Sequence, residues 1–500
     1  MRPFRTLWAA IGTCLLAATT LLSLGATVSA QQAGATTPAS GHFTGTLADG
    51  TNWIADVPAS WNGTLLLYSH GFGPLVAEDA PTAATRAALL ARGYALAGSS
   101  YDPNGSEWAL DTAVNDQFGT LKAVESTVLP GRPRQVLAFG TSMGGLISAL
   151  EAQDGAGRIN GALTTCGIVG GGINLNEYQL DGEYAIAQLL APSEKLHLVG
   201  FSNYTQAFAT AGALKAAATQ AQQTPAGRAR LALALAFLNV PTWTPGASAP
   251  ATANNPAALE AAQFHVEFTG SFSTIDFIEA ARVAITQADG GSANWTVGTN
   301  FAAVLAKSPY KAEVASLYQQ AGLNLQADLS TLTRDANITA DPTAVRSLQQ
   351  TSVPTGHLSV PELDLHTIGD QLVPVQQENF YARQVWETGD GNLLRQAFVS
   401  SYGHCNFSPA ELVAGVMAIG HRVAAGQWGD VADPSNLNRV AAGLDLGPAQ
   451  FADAYYPGAL TGAVKLPGIP EFPGFPGHPG FAGQPGQPGS SGGSSQPGSP

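Results

Sequence analysis

Two kinds of hydrophobic spacing alternate along the first third of this chain. Unbroken apolar runs at 64–69, 94–98, 135–140 and 161–166 are separated by stretches with helical spacing at 83–92, 111–128 and 143–152. A short run with no polar interruption reads as a strand covered on both faces, as a parallel sheet packed between helices requires. Strand and helix alternate at the spacing of right-handed crossover units, so the pattern predicts an α/β chain with a mostly parallel, doubly wound sheet. Two further segments, 43–47 and 51–57, predict an antiparallel start to that sheet.

The alternation stops at Gly170-Gly171-Gly172 and resumes at 361–367, another buried strand. Alanine-rich helical stretches such as 205–223 and 257–264 lie between, with a Pro/Ala/Thr loop at 241–256. This predicts a large helical cap inserted over the sheet at about 173–355, where Phe208, Phe237, Leu238, Phe264 and Phe277 are expected to form apolar pocket walls. A helix at 376–386, a strand at 395–399 and a helix at 408–424 complete the pattern, and the catalytic domain is placed at 31–465.

Both ends differ in composition from this body. Residues 1–30 have the form of a signal peptide: positive charge at Arg2 and Arg5, an apolar stretch from 7 to 28, and a small-residue cleavage site at Val28-Ser29-Ala30. Export is therefore expected, and no other apolar run is long enough to span a membrane. Residues 466–500 are rich in proline, glycine and serine and are expected to form a flexible tail, since they bury too little apolar surface to offset ordering entropy. Cys14 would leave with the signal peptide, so Cys166 and Cys405 remain in a compartment that permits disulfides. The net charge of −14, with only 12 % charged residues, excludes a nucleic-acid partner, and nothing in the chain specifies an oligomeric state.

The chemistry is concentrated where strands end. The strand at 135–140 runs into Gly140-Thr141-Ser142-Met143-Gly144 and then into a helix, so Ser142 sits at the apex of a strand-to-helix turn with its hydroxyl exposed. A second match, Gly489-Ser490-Ser491-Gly492-Gly493, has no strand before it or helix after it. A serine nucleophile needs a base and a carboxylate to orient that base. Asp370 lies just beyond the strand at 361–367 and His404 just beyond the strand at 395–399, both at the carboxyl edge where open α/β sheets bind ligands. Asp364 and His366 fall inside a strand and read as structural. His70 also ends a strand, but the glycines after it suit close backbone approach to a substrate carbonyl. No cysteine or histidine cluster has metal-ligand spacing and no glycine-rich phosphate loop follows the first strand, so neither metal nor organic cofactor is expected.

With Ser142, Asp370 and His404 in that chain order and His70-Gly71-Phe72-Gly73 ahead of them, the sequence resembles the capped α/β-hydrolases over about residues 40–175 and 355–427. That similarity implies an oxyanion hole from the backbone N–H groups of Phe72 and Met143. A looser resemblance is to the tannase and feruloyl esterase group, which carries a cysteine directly after the catalytic histidine, as Cys405 follows His404. That group places the partner cysteine beside the nucleophile. Here Thr141 and Met143 flank Ser142, which withholds any inference of a polyphenol substrate; the resemblance implies instead a Cys166–Cys405 disulfide tying the histidine loop to the sheet's active edge. The expected activity is hydrolysis of a small-molecule or polymeric carboxylic ester through an acyl-enzyme. A peptidase or amidase on the same scaffold is the alternative, and a non-catalytic binding protein displaying the tail is a third reading opposed by the intact Ser/Asp/His set.

Overall fold

The computed structural model describes residues 40–463 apart from 252, 253 and 454; the expected signal peptide (1–30) and tail (466–500) lie outside the described residues. Eight strands form one sheet: β1 (Gly41–Thr46), β2 (Asn52–Val57), β3 (Thr64–Ser69), β4 (Ala95–Ser99), β5 (Gln135–Thr141), β6 (Gly161–Thr165), β7 (Glu362–Gly369) and β8 (Leu394–Tyr402). Their order across the sheet is β1-β2-β4-β3-β5-β6-β7-β8. β2 is antiparallel to both neighbours and all pairs from β4 to β8 are parallel.

The unbroken apolar runs arise because successive side chains point to opposite faces and both faces are covered. Leu65 and Leu67 belong to one core cluster with Phe118, Leu121 and Val124 of helix α2 (Ala113–Thr127), Ala149 and Ala152 of α3 (Met143–Asp154), and Tyr381 and Val385 of α13 (Gln376–Glu387). Leu66 and Tyr68 face the other way, in a core cluster with Ala88 and Leu89 of α1 (Ala83–Ala91) and Val413 and Val416 of α14 (Pro409–Ala425); Leu437 and Ala441 of α15 (Pro434–Leu444), which packs on α14, close that cluster. The sequence pattern did not announce α15.

Between β6 and β7 the chain forms nine described helices: α4 (Gly172–Leu190), α5 (Tyr204–Ala221), α6 (Pro225–Phe237), α7 (Pro256–Phe268), α8 (Thr274–Asp289), α9 (Phe301–Lys307), α10 (Lys311–Gln320), α11 (Leu325–Arg334) and α12 (Pro342–Thr351). Their starts are written in the sequence. Asn203, Thr224, Asn255 and Asp341 each accept a hydrogen bond from the first turn, with proline early in the helix after Thr224, Asn255 and Asp341. In α6 every residue from Leu231 to Phe237 is buried, so this helix is apolar all round and forms the centre of the insert's own core. Phe237 and Leu238, expected as pocket walls, are buried members of that core. Among the described residues no helix is long and apolar enough to cross a membrane.

Candidate active site

Ser142 occupies the junction of β5 and α3 with φ 61° and ψ −121°, a backbone conformation that L-residues rarely adopt and that strong local constraints must hold. The constraints are visible. A Cβ on Gly140 would overlap the Gly144 carbonyl, and one on Gly144 would overlap the Ser69 carbonyl, so only glycine lets α3 start this close to the strands. The Ser142 N–H donates to Thr165 O at 3.0 Å, fixing the turn to the end of β6.

Asp370 and His404 come from the ends of β7 and β8, the next two strands beyond β6. β7 and β8 pair up to Gly369 and Tyr402 through an irregularity between Thr367 and Gly369, and Thr367 Oγ1 and Gly403 N bind across it to Gly403 O and Gly369 O. Asp370 and His404 follow directly. Asp370 is fully buried; its Oδ1 accepts the N–H groups of Leu372 and Val373 at 2.9 and 2.8 Å, and its Oδ2 accepts His404 Nδ1–H at 2.7 Å. A carboxylate can only accept, which fixes the tautomer: Nδ1 carries the proton, and Nε2 accepts the Ser142 Oγ–H at 2.8 Å. Burial alone would push the Asp370 carboxyl up, but electrostatic attraction to the His404 and His366 rings and the hydrogen bonds they donate hold it well below the usual carboxylate range. The structure thus brings Ser142, His404 and Asp370 into one hydrogen-bonded chain.

Gly71 lies against Ser142, with a Cβ there only 3.3 Å from Ser142 Cβ. The loop is anchored from behind. The buried His70 ring stacks on Tyr101 at 4.2 Å, its Nδ1 bonds Gly71 O at 2.8 Å, and Tyr101 Oη donates to His70 O at 2.8 Å. Burial lowers the His70 pKa to about 4, so this ring stays neutral and serves as structure. Met143 is the first residue of α3, where an N–H has no acceptor within the helix, and its side chain is fully buried. Phe72 is half-buried and meets Phe277 of α8 edge-on at 5.5 Å. From there a row of rings continues outward: Phe272 at 6.4 Å, Phe208 at 6.3 Å, and Tyr204 at 6.4 Å. Phe272 is 39 % exposed, so this row is a partly open aromatic surface running from the Phe72 loop across the insert.

Cys166, at the end of β6, and Cys405 are bridged with Cα atoms 5.3 Å apart, and Cys405 Sγ lies 3.3 Å from His404 Nε2. Cys166, His404 and Cys405 converge closely enough to suggest metal ligands, but the disulfide consumes both thiolates that such a site needs. Two residues read from sequence as structural or not singled out, His366 and Glu378, stand behind Asp370: His366 Nδ1 is 2.7 Å from Glu378 Oε1.

The strand order with an antiparallel second strand, the serine at a strand-to-helix elbow, and an acid and a histidine after the later strands define the α/β-hydrolase fold. The chain has that fold. No family model matches it. It is similar to an o-phthalyl amidase of Xanthobacter agilis, at 28 % identity over 433 residues, covering 81 % of this chain and 91 % of the relative. Solved structures overlap it loosely: feruloyl esterase B from Aspergillus oryzae at 13 % identity and TM-score 0.37, covering 77 % of this chain and 81 % of that one. The Pyrococcus horikoshii acylaminoacyl peptidase matches at 9 % identity and TM-score 0.33, covering 85 % of this chain, which spans only 43 % of that peptidase. Overlaps this loose carry no weight on activity.

Proposed function

We propose that the protein is a secreted serine hydrolase that cleaves carboxylic esters through an acyl-enzyme, with Ser142 as nucleophile, His404 as general base and acid, and Asp370 orienting His404. The carrying observation is the chain of hydrogen bonds, 2.8 Å from Ser142 to His404 and 2.7 Å from His404 to Asp370. In the proposed cycle Ser142 Oγ attacks the acyl carbon as its proton passes to His404 Nε2, and the carbonyl oxygen gains negative charge facing the Phe72 and Met143 N–H groups. The imidazolium returns the proton to the departing alcohol, and water repeats the sequence to release the acid. Export is supported by the form of residues 1–30 and by the disulfide.

The aromatic row beginning at Phe72 supports an acyl group that presents an aryl or extended apolar face, where each buried methylene gains about 0.8 kcal/mol. An amidase reading is favoured by one finding, the similarity to an enzyme named as an o-phthalyl amidase. The two separate in kcat/KM measured on matched aryl esters and aryl amides alongside an alkyl-ester series. Esters are expected to be cleaved faster than their amides, with specificity rising with acyl size before it falls. Amides cleaved faster than every ester would put the amidase reading in place of the esterase one.

A further inference from the structure

His366 and Glu378 form a buried pair directly behind Asp370. The His366 ring, on β7, is fully inaccessible; its Nε2 lies 2.8 Å from Val373 O and 3.5 Å from Asp370 Oδ2, while Nδ1 lies 2.7 Å from Glu378 Oε1 on α13. A carbonyl oxygen only accepts, so Nε2 carries a proton. One further proton lies between Nδ1 and Glu378. With the Asp370 carboxylate beside the ring, that proton belongs on Nδ1, which makes His366 an imidazolium between two carboxylates.

We propose that His366, held by Glu378, is a positioning residue for catalysis: its fixed positive charge keeps Asp370 ionised and in place, and extends activity to lower pH than a lone Asp–His pair allows. This rests on the Ser142–His404–Asp370 reading. Ionisable and polar groups face the pair from several elements. On β7 itself, burial and Glu378 push the Asp364 carboxyl well up, and burial pushes Glu362 up to about 7, where it accepts hydrogen bonds from Tyr381 at 2.7 Å and Thr164 at 2.8 Å. From β8, Gln396 Nε2 donates to Glu378 Oε2 at 2.6 Å. Tyr178 of α4 approaches Asp370 from the insert, with its hydroxyl 3.4 Å from Leu372 O. The Asp364 carboxyl thus holds its proton, and the counter-charges nearest the cation are Asp370 and Glu378. Burial alone would lower the His366 pKa, but hydrogen bonds to Asp370 and Glu378 and their charges raise it to about 10.

The proton balance is simple. On attack the Ser142 proton moves to His404 Nε2, the Nδ1 proton of His404 stays on its bond to Asp370, and His366 keeps both of its protons. What His366 contributes is a charge that opposes a second cation beside Asp370 in the free enzyme, so the enzyme remains in its active protonation state further into acid.

The first test uses the wild-type protein with nitrogen-15 histidine at pH 8, where ordinary histidine rings, with pKa about 6.5, are neutral. One ring with both nitrogens protonated is expected; spectra in which every ring is neutral overturn the proposal. The second follows kcat/KM for a short soluble ester against pH in His366→Gln and Glu378→Gln. The acid limb is expected to move up by about one pH unit in His366→Gln and by less in Glu378→Gln, which removes an anion together with the cation it holds. An unmoved limb with an equal loss at every pH overturns the proposal, and if the variants fail to fold, the wild-type spectrum decides. A fluorophosphonate label distinguishes the two levels. If Ser142 takes no label, the underlying reading fails; if Ser142 is labelled and His366 is neutral, this inference fails alone.

Discussion

Ser142→Ala is expected to lower kcat/KM for a small ester by about 10⁵- to 10⁶-fold while leaving the fold intact. The loss is large because the hydroxyl is the only group in the hydrogen-bonded chain placed to form the acyl bond, and no neighbour can replace it. Folding should survive because alanine meets the same backbone demand at φ 61° as serine, while the close approach of α3 depends on Gly140 and Gly144. His404→Ala should be comparably damaging. Asp370→Asn should cost about 10⁴-fold, since an amide at that position favours the wrong imidazole tautomer. Mass spectrometry after fluorophosphonate treatment checks the assignment: an adduct on any other serine, or full turnover in the alanine variant, removes Ser142 from the role.

Reducing the Cys166–Cys405 bridge is expected to lower thermal stability and turnover together. The two residues are 239 apart in sequence, and the chain-entropy model gives about 5 kcal/mol for a closed loop of that size, at the upper end of measured disulfide contributions. Turnover follows because Cys405 directly succeeds His404 and, with φ 53°, holds an unfavourable backbone conformation that the bridge secures to the end of β6. Cys166→Ser and Cys405→Ser should reproduce the effect without reductant. A thiol assay on denatured, unreduced protein is expected to count no free thiols in the mature chain; a count of two would refute the bridge.

The central sheet was legible because a strand buried on both faces leaves an unbroken apolar run, and 135–140 foretold β5 (Gln135–Thr141) to within a residue. β8 extends past the expected 395–399 because Ser400 and Ser401 break the apolar pattern while the pairing with β7 continues. The insert was legible only as helical. Its α12 buries just Ala344 and Leu348, too few apolar positions to stand out, and the fully buried α6 has no polar face to set its phase. The serine, acid and histidine could be picked out because each follows a recognisable strand. His366 could not be given its place, because nothing in local spacing says that Glu378, on the helix after the loop, folds back onto its ring. The aromatic row was half seen: Phe208 and Phe277 belong to it, while Phe272, in the connection before α8, was not singled out.

The disulfide also changes what a peptide-bond break can do. Its two ends flank the whole stretch from the end of β6 through the nine described helices of the insert, β7, Asp370 and β8 to His404, so that part of the chain is a covalently closed ring. A protease cutting once in an exposed connection of the insert, such as the loop between α6 and α7, opens the ring without releasing either half. Ser142 would stay tethered to His404 through sulfur. One cut is therefore a survivable injury, and reduction is the event that turns it into separation.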